Sequence, residues 1–266
     1  MNRRMQDKMN NTMDQVQQEV DSSREPWYRS SRRTRILALV YLLLFALFTA
    51  LAWFVHFNPV IPVDVVITRE FQENKSPWLE TLMIAVSYLG NNFAVFVVLI
   101  LLTAIAFWLV KLRLEALIII TLSVISSITN VLAKVIVSRP RPSVQLVEIL
   151  QKATGQSFPS GHVMSYVAYW GLLFSFGLIL FKRNRWWHYV LLIVSALFVI
   201  LVGPSRIYLG DHWASDVLGG YLFGGLLLGI TLWIYLKLKA RGVLTPKLKA
   251  GKTLIDPIVP TPGHVK

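Results

Sequence analysis

Cysteine is absent from this chain of 266 residues, so neither a disulfide framework nor a thiolate metal site is open to it, and redox compartment cannot be read from it. Acidic residues are scarce, 14 against 27 Lys and Arg. No outer loop gathers them into a metal-binding cluster, and no H-E-x-x-H occurs. Charge of either sign is thin, at 15% of residues, while 55% are hydrophobic and the mean hydropathy is +0.54. That balance is too apolar for an ordinary soluble domain of this length and favours the membrane class. The formal charge of +13 would suit nucleic acid, yet the bases gather in short clusters between apolar runs. There they act as topology signals and lipid-headgroup contacts, and no nucleic-acid partner is expected.

The apolar runs are long enough to cross a bilayer, which takes about 20 residues. Arg29, Arg32, Arg33 and Arg35 precede the first, Ile36 to Val55, and place its start in the cytoplasm. No small-residue cleavage pattern marks it, so it reads as an anchor that stays. Residues 56 to 80 form an outer loop richer in acids than bases, where Val65, Val66 and Phe71 are placed to rest on the bilayer and no site is visible. The stretch Thr81 to Val110 exceeds one span, and Gly90, Asn91 and Asn92 predict a short outer helix, a break and a second span from 93 to 110. The third span, Leu114 to Val137, carries Ser123, Ser127, Asn130 and Lys134 on one face, of which the first three read as interhelical hydrogen-bonding groups. Pro140 and Pro142 stop it. After a second outer loop (138 to 158), the fourth span runs from Pro159 to Phe181, the fifth from Trp187 to Val202 and the sixth from His212 to Leu236.

Lys182, Arg183 and Arg185, then Lys237, Lys239 and Arg241, mark inner ends. Gly220-x3-Gly224 and Gly225-x3-Gly229 predict close packing of the last span within its own bundle. Trp170 fits no interfacial belt. The expected fold is all-α, a polytopic membrane protein with six transmembrane helices in a bundle over 36–241, and cytoplasmic tails at 1–35 and 242–266. In the first tail, Met5, Met9, Met13, Val16 and Val20 make one narrow helical stripe. It reads as a partly ordered tail, a surface-lying helix or a segment for weak self-association.

This layout brings three polar clusters to the outer face: Lys134-x6-Arg141-Pro142, Pro159-Ser160-Gly161-His162 and Ser205-Arg206-x5-His212-x3-Asp216. Arg139, Arg141, Lys152 and Arg206 stand there against the positive-inside rule, and a phosphate-binding site explains them. Arginine's planar fork suits phosphoryl oxygens in pairs, and Arg139 and Arg141 both qualify. A Pro-Ser-Gly turn opening a spanning helix offers free N–H groups and the positive dipole end, with close backbone approach at Gly161 and a donor hydroxyl on Ser160. His162, in the first turn, can protonate a departing alkoxide. His212 and Asp216, four apart, share a helix face, so the carboxylate holds one imidazole nitrogen protonated and leaves the other nucleophilic. Asp211 reads as a carboxylate on the helix dipole, and Arg206 as a fork beside His212. His56 and His188 read as hydrogen-bonded surface groups. Cations around both site histidines would repel a divalent ion, so neither metal nor cofactor is expected.

In this order and spacing the clusters resemble those of the type-2 phosphatidic acid phosphatase family, which shares its site design with vanadium haloperoxidases and bacterial acid phosphatases. The resemblance selects Arg141 over Arg139. It implies a six-helix membrane enzyme removing phosphate from a lipid without a metal. His212 would be the nucleophile, His162 the general acid and base, and Asp216 the group orienting His212. Lys134, Arg141, Ser160, Gly161 and Arg206 would bind phosphate. It also supplies the substrate class, leaving phosphatidic acid, phosphatidylglycerol phosphate and undecaprenyl diphosphate unranked. Two other readings stand beside it, a membrane phosphotransferase using the same histidine and an anion transporter; the latter would want related halves and matching broken helices, and neither is visible. Compact size and short loops suit a bacterial plasma membrane, with both termini cytoplasmic and the active site at the outer face.

Overall fold

The computed structural model describes residues 31–73, 76–181 and 186–244. The N-terminal stripe, the inner-end bases at 182–185 and the tail beyond 244 lie outside them. The described residues form eight helices: α1 Ser31–Phe57, α2 Pro62–Glu73, α3 Pro77–Asn91, α4 Phe93–Leu109, α5 Arg113–Val137, α6 Gly161–Leu180, α7 Trp186–Tyr208 and α8 Ala214–Ala240. Five are long and apolar enough to cross a membrane, and the pair α3 and α4, bent by 73°, makes up to six. The break falls at Asn92, as the Gly-Asn-Asn run implies.

Lipid as solvent explains the surface. Leu39, Leu42 and Leu43 of α1 and Val131, Val135 and Ile136 of α5 are exposed, which would be costly in water and is neutral against hydrocarbon. The interior is aromatic: Tyr166, Tyr169 and Trp170 of α6 pack on Phe96 of α4 and Phe198 of α7, with Trp170 and Phe198 stacked at 4.5 Å. That is why Trp170 fits no belt. The last span packs inward through its glycines. A Cβ at Gly220 would lie 2.9 Å from Val163, and one at Gly229 would lie 2.7 Å from Tyr41 of α1, whereas Gly225 faces open space.

Several boundaries differ from expectation for definable reasons. A π-helical stretch, Val167–Gly171, interrupts α6. Helix α7 continues through Pro204 to Tyr208 instead of ending at Val202. Proline deprives the Ile200 carbonyl of its helical partner. The Tyr221 hydroxyl of α8 covers the gap, 2.7 Å from the Val199 carbonyl and 3.3 Å from that of Ile200. Helix α8 begins at Ala214, not at His212.

The loop of 56 to 80, expected at the outer face, contains a structured helix. In α2, Asp64, Thr68 and Gln72 face inward at four-residue spacing while Val63, Val66 and Phe71 stay exposed. Gln72 donates to the carbonyls of Glu148 at 2.8 Å and Tyr208 at 3.0 Å, and so clamps the loop of 138 to 158 against α7. Asn130 bonds across helices as expected, its Nδ2 donating to Met164 Sδ of α6 at 3.2 Å and to the Pro159 carbonyl at 3.1 Å. Ser123 instead returns to the Ile119 carbonyl of its own helix at 2.8 Å. At the opposite end, buried Glu115 accepts from Tyr235 at 2.7 Å and Lys239 at 2.8 Å, joining the start of α5 to the end of α8. His188 is fully buried, 3.0 Å from the Gly177 carbonyl, which corrects its reading as a surface group.

Candidate active site

The end of α5, the loop from 138 to 160, the turn from 209 to 213 and the first turns of α6 and α8 converge at one end of the bundle. The 209–213 turn depends on Gly210, whose φ of 74° is left-handed and whose Cβ, if present, would lie 2.1 Å from the Glu148 carbonyl oxygen. This turn carries His212, 1% exposed. His212 and Asp216 therefore do not share a helix face. Asp216 is the third residue of α8, and its Oδ2 accepts the Trp213 N–H at 2.9 Å, satisfying a donor that the helix start leaves open.

The two side chains still meet, through an intermediary. His212 Nδ1 lies 3.5 Å from Asp216 Oδ2 and 3.3 Å from Ser157 Oγ, while Ser157 donates to Oδ2 at 2.5 Å. A distance of 3.5 Å is beyond an ordinary N–H···O bond, so the hydroxyl passes on much of the carboxylate's hold. On the far side of the ring, His212 Nε2 lies 3.3 Å from Arg141 Nη1. An arginine can only donate, so Nε2 there is the lone-pair nitrogen and Nδ1 the protonated one. Burial, reinforced by Arg141, Lys134 and Arg206, holds the imidazole well below its ordinary pKa of 6.5. His212 is thus neutral at neutral pH, the form a nucleophile requires.

Arg141 folds back over the site from its loop. It is anchored by the carbonyls of Thr154 at 3.2 Å, Gly155 at 3.1 Å and Asp211 at 2.8 Å. Lys134 Nζ is tied to the carbonyls of Gln156 at 2.5 Å and Ser157 at 3.4 Å. Arg206 pairs with Asp211, reaches Ser87, and lies 3.3 Å from Asn91 Oδ1. Asp211 is therefore a buried ion-pair partner and not a dipole-facing carboxylate. Burial raises its pKa against the opposing pull of Arg206 and Arg141. Ser160 sits at the N-cap of α6 with a buried hydroxyl that has no hydrogen-bond partner. Its N–H donates to the Asp216 carbonyl at 3.0 Å. Gly161 faces Asn130, whose Oδ1 would be 2.9 Å from an added Cβ. His162 projects from the first turn of α6 and its Nε2 lies 2.8 Å from Asn91 Oδ1.

Four residues of this arrangement were not among the expected site residues. Arg139, the rejected candidate, is 1% exposed and holds the other oxygen of Asp216 at 2.7 Å and Asp64 at 2.8 Å. Asp64 in turn accepts the Ser215 N–H at 2.9 Å. The signal for Asp64 was the polar stripe of α2. Ser157 and Asn91 carried none beyond proximity to a motif and to a helix break.

From His162 an apolar groove of about 450 Å³ runs between α4 and α5. Phe96, Ile100, Ile120, Val124 and Ile128 line it, with Ser127 among the few polar groups. Val124 and Ile128 are also exposed on the bundle perimeter.

Comparison with known proteins finds similarity to one family. The model of the PAP2 superfamily matches residues 113–240, which contain every expected site residue. Phosphatidylglycerophosphatase B of Bacillus subtilis (strain 168) is 29% identical over 188 residues, covering 69% of this chain and 89% of its own. Phosphatidylglycerophosphatase B of Escherichia coli (strain K12) is 36% identical over 104 residues, 39% of this chain and 38% of its own. An undecaprenyl-diphosphatase of Sulfolobus acidocaldarius is 28% identical over 189 residues, 70% and 84% of the two chains. The crystal structure of a transmembrane PAP2 type phosphatidylglycerolphosphate phosphatase from Bacillus subtilis superimposes with a TM-score of 0.61 at 27% identity, covering 74% of this chain and 96% of that one. With a multi-span helical bundle, the three clusters assembled at one end and this set of relatives, the chain is similar to the PAP2 superfamily over the residues matched.

Proposed function

We propose that the protein is a metal-independent phosphatase of lipid phosphates or diphosphates that works through a phosphohistidine on His212. The observation carrying this reading is the setting of His212 Nε2. Its lone pair points to Arg141 at 3.3 Å while Nδ1 is tied back to Ser157 and Asp216. Lys134, Arg141 and Arg206 supply the positive charge that a phosphoryl group needs. A phosphoryl group on Arg141 would be within reach of Nε2 for in-line attack. The P–O bond to the leaving group then breaks as the N–P bond forms, and His162 gives its proton to the departing oxygen. In the second step His162, now neutral, takes a proton from water, whose oxygen displaces Nε2 and releases inorganic phosphate.

The apolar groove ending at His162 is the natural seat for acyl or prenyl chains, with the phosphate at the bundle end. Phosphatidic acid, phosphatidylglycerol phosphate and undecaprenyl diphosphate fit this chemistry equally. With both termini cytoplasmic, the site lies at the outer face of the plasma membrane. Metal independence follows from a donor set of cations and histidines that covers phosphoryl charge by itself. The test is phosphate release from these three lipids in detergent, with EDTA throughout and water as the sole acceptor. Turnover under those conditions is expected; activity that returns only on adding a divalent metal, or only with a second lipid alcohol as acceptor, would overturn the reading.

A further inference from the structure

Asn91 lies outside the residues matched by the family model, at the break between α3 and α4, yet its side chain reaches the candidate active site. Its Oδ1 is 2.8 Å from His162 Nε2 and 3.3 Å from Arg206 Nη1, and its Nδ2 is 3.4 Å from Ser87 Oγ, which Arg206 also contacts. An oxygen facing both Nη1 and Nε2 accepts from each, so Asn91 requires the Nε2 tautomer or the imidazolium of His162. The neighbouring residue fits the same purpose. A Cβ at Gly90 would lie 2.1 Å from His162 Cδ2 and 2.7 Å from Nε2, so the absence of a side chain at 90 is what lets the ring lie against the elbow.

We infer that Asn91 is a positioning residue for the general acid, fixing the ring plane and protonation of His162 so that its proton is delivered to the leaving oxygen. The inference rests on His162 being that acid. In the first step the N–P bond to His212 forms, the P–O bond breaks, and the His162 proton moves to the released alkoxide, leaving a neutral imidazole. Asn91 itself exchanges nothing. The elbow that supplies it also supplies Gly90 and Phe93 to the wall of the apolar groove, so one backbone break shapes the chain-binding groove and orients the acid.

A role in proton delivery has a signature that a merely structural role lacks, namely dependence on the leaving group. A nitrophenolate departs with little protonation, whereas an alkoxide needs the acid. The experiment compares the single-turnover rate of phosphoenzyme formation from p-nitrophenyl phosphate and from a short-chain phosphatidic acid in the full-length protein in detergent. The variants are His162→Ala, Asn91→Leu, near-isosteric without an acceptor, and Asn91→Asp, which keeps the oxygen. His162→Ala should lose about 10² to 10⁴ in the rate of phosphoenzyme formation on the alkyl substrate and far less on the aryl one, while hydrolysis of the phosphoenzyme slows for both. Asn91→Leu should show the same selectivity at smaller size, on the order of tenfold to a hundredfold, since an orienting partner cannot cost more than the group it orients. Asn91→Asp should recover part of the alkyl rate, and parent-like thermal unfolding in detergent certifies folding in each variant. If His162→Ala is selective but Asn91→Leu lowers both substrates equally or neither, the inference on Asn91 falls and the reading of His162 stands. If His162→Ala is itself unselective, the reading of the acid falls and takes the inference with it.

Discussion

The two site histidines occupy different electrostatic settings, and their substitutions separate accordingly. On the proposed mechanism His212→Ala removes the atom that bonds to phosphorus, so neither turnover nor acid-quenched, base-stable label from a radioactive phosphate donor should survive. His162→Ala should still trap label from p-nitrophenyl phosphate; the opposite pattern of labelling would reverse the two roles. The depressed pKa of His212 also has a sign. On the proposed mechanism only the neutral ring attacks, so the acid limb of kcat/KM should lie at a pH below 6.5, where the folded-state imidazole takes its proton. Stability follows the same group: below 6.5 the unfolded chain binds a proton that the folded one still refuses, so the fold should weaken as pH falls toward the folded-state value. An acid limb at or above 6.5 would mean that burial and the three cations do not act on this ring as described. Arg139 makes a different kind of prediction. It joins Asp216 and Asp64 in a buried network, so Arg139→Met strands two carboxylates and should cost about 3–5 kcal/mol in unfolding measurements. A variant as stable as the parent would show that water reaches the pair.

Among the elements, the short turn at 209–213 is the one on which most depends. Gly210→Ala forces a Cβ into a left-handed residue and onto the Glu148 carbonyl at 2.1 Å. The backbone strain alone is on the order of 1–3 kcal/mol, and the turn must shift to relieve the clash. Turnover should fall by more than tenfold through displacement of His212, at an approximate cost consistent with a misplacement of about 1 Å. Full activity in this variant would show that the turn adapts. The helices themselves were legible because apolar runs of spanning length and basic punctuation are coarse signals that tolerate error at the ends. The break at Gly90 to Asn92 was legible for the same reason. What a pattern along the chain does not carry is which ends are prolonged by partners from elsewhere. Tyr221 repairs the Pro204 gap from another helix, and α7 outruns its expected end by a turn and a half. His212 moved from helix to turn because Gly210 and Trp213 set the start of α8. Ser157 and Arg139 are long-range links, and no local spacing encodes them.

For the whole molecule, topology is directly testable because the chain has no native cysteine. With the site at the outer face, Gln145→Cys in the second outer loop should react with an impermeant thiol reagent on intact cells, and Lys111→Cys at the α4–α5 turn should not. Labelling at 111 alone would invert the molecule. Vanadate should compete with substrate, since its five-coordinate form resembles the transition state and the cations around His212 favour that geometry over ground-state phosphate. Indifference to vanadate would argue against in-line transfer at this site. The groove between α4 and α5 has one more consequence. Its wall residues Val124 and Ile128 are also exposed on the bundle perimeter, so a lipid can slide in sideways without leaving the bilayer plane. Encounter is then two-dimensional. The rate should follow the mole fraction of substrate among the surrounding amphiphiles, and diluting the mixed micelles with buffer at fixed composition should leave it unchanged, while adding inert detergent should slow it.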